Sequence, residues 1–273
     1  MNNVFEPKRF GNYLLHDLKN AKDNYLYSFI ITAGLPVLTF ILVELLGMIF
    51  NKNHGFVEYP LAVQIVSVIA AVTSAMIVFP IKQYGQITDK RYGSSWVMLP
   101  ASGFEKWLSL IIMTCVVLPV CLFTVYLGLD WLMSVVAPGL YPKSLASYET
   151  VNEIQNAFNE EDVSFNAMSL GWLSWVENIL TFTLGAVFFK KSKFPKTLLC
   201  VIAFGIILSF IAMACIGTGH IGTDNVEEFF KEFSNGDPET AVRRFKALVH
   251  IIACACVAVL AGGIYVRITS IKH

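Results

Sequence analysis

Charge is scarce in this chain. Asp, Glu, Lys and Arg make up only 15% of its 273 residues, hydrophobic residues 55%, and mean hydropathy is +0.60. A soluble domain needs more charge than that to cover its surface. An excess of one sign is also missing, since 20 Lys and Arg balance 20 Asp and Glu. Nothing therefore points to nucleic acid as a partner. The chain has no G-x-x-x-x-G-K-S/T loop to cradle ATP phosphates, no H-E-x-x-H and no G-x-S-x-G. Its histidines, His16, His54, His220, His250 and His273, fall on different segments. No metal, nucleotide or other cofactor is expected, and no catalytic residue of a hydrolase. The nearest glycine cluster, Gly217-Thr-Gly219-His220-Ile-Gly222, lacks the lysine and reads as a flexible span end.

Disulfide signals are equally lacking. Cys115, Cys121, Cys200, Cys215, Cys254 and Cys256 all lie inside apolar runs, where they read as small packing residues rather than a loop framework. Cys254-Ala-Cys256 is too close-set, and too poor in nearby His or Asp, to argue for metal. The first 27 residues contain Lys8, Arg9, Asp17, Lys19, Lys22 and Asp23 with no apolar core, so no signal peptide is expected there.

What the chain has is long apolar runs. A helix needs roughly 20 such residues to cross a hydrocarbon core of about 30 Å, and within lipid every backbone polar group must be satisfied inside the segment. Six spans are predicted, at 28–50, 60–81, 106–136, 168–189, 195–217 and 246–268. The fold class is therefore all-α and polytopic. The third span is longer than a membrane requires and holds Pro119, which predicts a kink, a tilt or a part outside lipid. Of the 20 Lys and Arg, 14 fall in the segments that share a side with the two termini. Both termini are thus predicted cytoplasmic. Arg243, Arg244 and Lys246 run against this, beside the acidic residues of their own loop.

Three pieces outside the spans carry helical periodicity. Phe10, Leu14, Leu18, Ala21 and Tyr25 predict an amphipathic helix within 1–27, lying on the membrane surface, with Pro7 in its first turn. Val151, Ile154 and Phe158 form a shorter stripe in the outer loop 137–167. Val226, Phe229, Phe230 and Phe233 form another in the outer loop 218–245. The division is then a surface helix at 1–27, a membrane domain at 28–268 and a short tail at 269–273.

Ionisable residues at membrane depth are costly and draw attention. Glu177 lies near the middle of the fourth span, followed by Asn178, Thr181 and Thr183. It either bonds across a helix interface or lines a polar pathway. Glu44 and Asp130 are expected near the outer headgroup level.

The loop after the second span reads Lys82-Gln-Tyr84-Gly85-Gln-Ile87-Thr-Asp89-Lys90-Arg91-Tyr92-Gly93-Ser-Ser-Trp96-Val-Met98-Leu99-Pro100-Ala101-Ser102-Gly-Phe104-Glu105-Lys106. This resembles the cytoplasmic loop of ABC-2 type permeases, the membrane subunits of a class of ABC exporters. In that family a charged pair and a glycine precede a Leu-Leu-x-x-Pro-small-Ser segment, then Glu and Lys enter the third helix. The matching positions are Lys90, Arg91, Gly93, Met98, Leu99, Pro100, Ala101, Ser102, Glu105 and Lys106. The M-L-P-A-S-x-x-E-K form is similar to a variant of the Bacteroidetes type. The residue match covers about 25 positions, while the order of elements agrees over nearly the whole chain. The long outer loop 137–167 departs from many relatives.

The resemblance implies a transporter subunit in a bacterial inner membrane rather than an enzyme. Its implied partners are an ABC ATP-binding subunit, a second permease subunit (identical or related) and the lipid bilayer. Asp89, Lys90, Arg91, Tyr92, Gly93, Leu99, Pro100, Glu105 and Lys106 are the expected coupling loop. Leu99-Pro100 should break a helix, Asp89 to Arg91 offer charge, and Tyr92, Trp96 and Met98 offer apolar anchors. Two alternatives stay open: a self-contained ion-coupled transporter using Glu177, and a membrane interaction or immunity protein that transports nothing.

Overall fold

In a computed structural model the described residues are 5–50, 59–88, 93–141, 144–145, 147, 167–217 and 238–271. They form α1 (Pro7–Phe50), α2 (Leu61–Gln83), α3 (Gly93–Met98), α4 (Gly103–Ile112), α5 (Leu118–Val136), α6 (Ala167–Phe188), α7 (Lys193–Gly217) and α8 (Pro238–Ser270). No strand occurs among the described residues. Five helical stretches are long and apolar enough to cross a membrane: Pro7–Phe50, Leu61–Gln83, Gly103–Val136, Lys193–Phe210 and Ala247–Ser270. α6 has 22 residues but is not one of the five. Glu177 and Asn178 in its middle dilute its apolar character.

The elements follow from local chemistry. Pro60, whose carbonyl accepts from the N–H groups of Val63 and Gln64, opens α2. Between α4 and α5 the chain makes a π-helical turn over Met113–Val117, closed by the Leu118 N–H on the Met113 carbonyl. Pro119 follows at once, and its ring deletes the donor that an unbroken α-helix would aim at the Cys115 carbonyl. The wide turn is how the third predicted span accommodates its proline. Leu99 and Pro100 separate α3 from α4, as the sequence predicts.

α1 differs from expectation. The chain runs from Pro7 to Phe50 as one helix, with no break near 27 and Pro36 in its interior. Its first turns bury most of the predicted stripe, Ala21 and Tyr25 fully and Phe10 and Leu14 in part. Tyr13 and Asp17 join that packed face, and Asp17 meets polar groups after α2 and on α4. Leu15 and Leu18 stay exposed. α8 likewise starts earlier than predicted, so Arg243 and Arg244 belong to the helix. The stripes at 151–158 and 226–233 lie outside the described residues.

Successive long helices alternate in direction. The start of α1, the ends of α2, α6 and α8 and the starts of α4 and α7 meet at one end of the bundle, called here the platform end. The core joins Ala71, Ala75, Leu110, Met113, Leu122, Ile179, Leu180 and Ile264. α6 supplies the centre, packing on α2, α7 and α8. At the far end Phe40, Tyr59 and Tyr141 form a ring cluster with centroids 5.4–5.7 Å apart. Leu, Ile, Val and Phe side chains cover the outside of α1, α2, α5 and α7, the inverse of a soluble protein.

Candidate functional site

The platform end holds the densest polar packing. It starts with Ser102, the N-cap of α4. The Ser102 hydroxyl accepts from the Glu105 N–H, and the Glu105 Oε2 accepts from the Ser102 N–H at 2.8 Å, a capping box. The same carboxylate takes three more hydrogen bonds. Arg9 Nε donates to Oε2 at 2.8 Å, Arg9 Nη2 to Oε1 at 2.8 Å, and the Glu6 N–H to Oε1 at 3.0 Å. Glu105 is 0% exposed. The Arg9 hydrogen bonds, aided by the backbone donors, hold its carboxyl down at about 2 despite burial. Phe5 against Phe104, 6.0 Å between centroids, adds an edge-to-face contact to the same junction. One side chain thus ties the start of α1 to the start of α4.

Lys106 works in the opposite direction along the chain. Its Nζ donates to the Trp96 carbonyl at 2.9 Å and the Val97 carbonyl at 3.3 Å, and sits 4.5 Å from the Trp96 ring centroid. A cation at the end of α3 satisfies carbonyls that the short helix leaves open. The Trp96 Nε1 then donates to the Tyr13 hydroxyl at 3.1 Å. α3 is therefore clasped from α4 on one side and α1 on the other. Met98, at its tip, is 77% exposed, and Pro100 is exposed too.

At the same platform end Asp17 is buried on α1. It accepts from Ser109 Oγ at 2.8 Å, Tyr84 OH at 3.3 Å and Gln83 Nε2 at 3.3 Å. Burial raises its pKa, and those hydrogen bonds offset part of the rise. Burial, with Asp17 beside it, also raises the Tyr84 phenol. On the other flank Lys193, at the start of α7, donates to the Gly85 carbonyl and, at 2.7 Å, to Thr88 Oγ1. Thr88 in turn donates to the Phe189 carbonyl at 3.2 Å. The 3₁₀ turn Gly85–Thr88 is thereby fixed to the connection between α6 and α7.

The predicted coupling residues divide accordingly. Glu105 and Lys106 are buried and engaged within the chain; Gly93 is buried at the start of α3; Leu99 is half-buried and Pro100 exposed. Asp89, Lys90, Arg91 and Tyr92 lie outside the described residues. Of the proposed anchors, Trp96 turns inward and Met98 outward. Arg9, Asp17, Tyr13, Gln83 and Lys193 complete the cluster and were missed by the sequence reading. A signal existed for the Glu105 junction: Ser102-Gly-Phe-Glu105 has capping-box spacing.

The three intramembrane candidates do not come together as one set. Asp130 is buried near the end of α5 and accepts from Gln64 Nε2 at 2.6 Å, Tyr141 OH at 2.9 Å, Ser144 Oγ at 2.5 Å and the Leu145 N–H at 2.8 Å. It pins the segment after α5 to the bundle. Glu44 is buried, at 7% exposure, one turn beyond Phe40, and neither oxygen has a hydrogen-bond partner among the described residues. Glu177 is half-buried in the middle of α6.

Comparisons with protein-family models, curated proteins and solved structures return no match.

Proposed function

We propose that this chain is the membrane subunit of an ABC-2 type exporter, moving substrate when a separate ATP-binding subunit hydrolyses ATP. In this reading α6 is a sixth span, both termini and the platform end are cytoplasmic, and two permease chains pair in a bacterial inner membrane. One observation carries it: α3 and the turn after it form a folded plate, clasped through Lys106 and Trp96 beside the Glu105 junction, with Met98 and Pro100 turned outward. A segment that only linked two spans would have no need of such fixing. A force applied at the tip of α3 reaches α4 through Lys106 and α1 through Tyr13, and Arg9 joins α1 to α4. Burial of Glu105 makes its role positional: it holds the plate and leaves direct contact with a partner to Met98, Pro100 and the neighbouring 89–92 segment.

The test places a photoreactive amino acid at Met98. The reading predicts a crosslink to an ATP-binding protein, identified by mass spectrometry and weakened when Lys106→Ala loosens α3. Crosslinks confined to lipid or to copies of this chain contradict it. The second reading, a self-contained ion-coupled transporter, is favoured by the mid-helix position of Glu177, and predicts transport that collapses with a proton ionophore and needs no ATPase.

A further inference from the structure

α6 has two faces of opposite character. Trp175, Ile179, Leu180, Thr183, Ala186 and Val187 are buried in the core. The other face carries Ser174, Glu177, Asn178 and Thr181, spaced i, i+3, i+4, i+7. Ser174 and Asn178 are exposed, and Glu177 and Thr181 half-buried. Among the described residues Asn178 Nδ2 donates within the helix, to the Ser174 carbonyl at 2.8 Å and, at 3.3 Å, to its hydroxyl. Thr181 donates to the Glu177 carbonyl at 2.8 Å. Such a stripe turned to hydrocarbon is costly, and ionisable groups at this depth face water or a polar partner.

α7 crosses this same face, but only near the platform end. A Cβ at Gly185 would stand 2.6 Å from Thr197 Cγ2 and 2.8 Å from Thr197 Cβ, so the Thr197 side chain lies close against the Gly185 backbone there. Phe182 and Phe194 stack beside that crossing with centroids 6.4 Å apart. Further along, every residue of α7 from Leu198 to Phe210 is exposed except Ala203, which is half-buried. The two helices are joined at Gly185 and Thr197, and among the described residues the polar stripe of α6 stands open from Thr181 outward.

We propose that this face of α6 lines a water-filled vestibule, sealed at the platform end by the Gly185–Thr197 crossing and open toward the far end, which admits hydrogen-bonding solutes. The inference rests on α6 being a span and on nothing about an ATPase.

The test is cysteine accessibility in proteoliposomes, with a membrane-impermeant methanethiosulfonate added from the side of the far end. Thiolates react and thiols in hydrocarbon do not. Ser174→Cys and Asn178→Cys should each add one modified thiol over the native chain. They should react at least about tenfold faster than Ile69→Cys and Val120→Cys, whose native side chains lie exposed on the apolar outside of α2 and α5. Native Cys115 is buried, and its remaining unmodified certifies that each variant is folded. Ser174→Cys and Asn178→Cys reacting as slowly as the two lipid-facing controls, in protein with Cys115 protected, would overturn the vestibule. That result would leave the subunit assignment standing, because crosslinking at Met98 reads it separately.

Discussion

Arg9 closes a bidentate pair on Glu105, with Nε on one carboxylate oxygen and Nη2 on the other, both at 2.8 Å. Ninety-six residues separate the two in sequence. The pair fixes the amino-terminal end of α1 on the first turn of α4, while the same carboxylate caps that turn. Arg9 is the charge that makes burial of Glu105 tolerable, and a planar guanidinium meets both oxygens at once where lysine would not.

Glu105→Gln keeps the shape and removes the charge. It should lower the unfolding temperature in detergent by roughly 5 °C at neutral pH. The pH dependence has a definite sign. The folded carboxyl sits at about 2 against an ordinary 4.5, so its stabilisation is complete above 4.5 and lost as pH falls toward 2. Thermal scans of both proteins should therefore converge at acid pH. A gap that stays constant over that window would contradict the role given to Arg9.

Asp17 has the opposite sign. Its carboxyl is raised above the ordinary 3.8, chiefly by burial. The folded state then holds the proton more tightly than the unfolded one, and ionisation removes stability as pH rises from 3.8 through the raised value. Asp17→Asn cannot ionise and still accepts from Ser109 and Tyr84. Its unfolding temperature relative to the native protein should rise by a few degrees between acid and neutral pH. A flat or falling difference would count against burial as the dominant influence on Asp17.

Gly185→Ala places a methyl inside contact distance of the β-branched Thr197 side chain. Overpacking of this kind costs about 1–3 kcal/mol. Thr197→Ala in the same chain should recover part of it, since Cγ2 and the hydroxyl are removed and the Cβ at 2.8 Å remains. Denaturation midpoints of the single and double variants check this. No coupling between the two substitutions would mean that the helices separate freely at this crossing.

Much of the bundle was legible from the length of the apolar runs. The spans expected at 28–50, 60–81, 106–136, 195–217 and 246–268 fall largely within observed helices, because membrane depth sets helix length directly. The Leu99-Pro100 break was legible for an equally local reason. The burial of Asp17 on α1 was not. A lone Asp17 among Lys and Asn residues looks like part of a solvated face, and its partners Gln83, Tyr84 and Ser109 are 66 to 92 residues away. Charge in the 82–106 loop suggested contacts with a partner. The fold spends Glu105 and Lys106 internally, a pairing with Arg9 and the Trp96 carbonyl that only tertiary structure brings about.

Whether an ATPase docks on this chain is decided by a mild-detergent pull-down of the tagged protein from its native membrane, with mass spectrometry and an ATPase assay on the eluate. A soluble ATP-binding protein should be present in stoichiometric amount and be lost when Asp89, Lys90 and Arg91 are changed to alanine. A folded, pure chain with no ATP-binding partner across several detergents would contradict the subunit assignment.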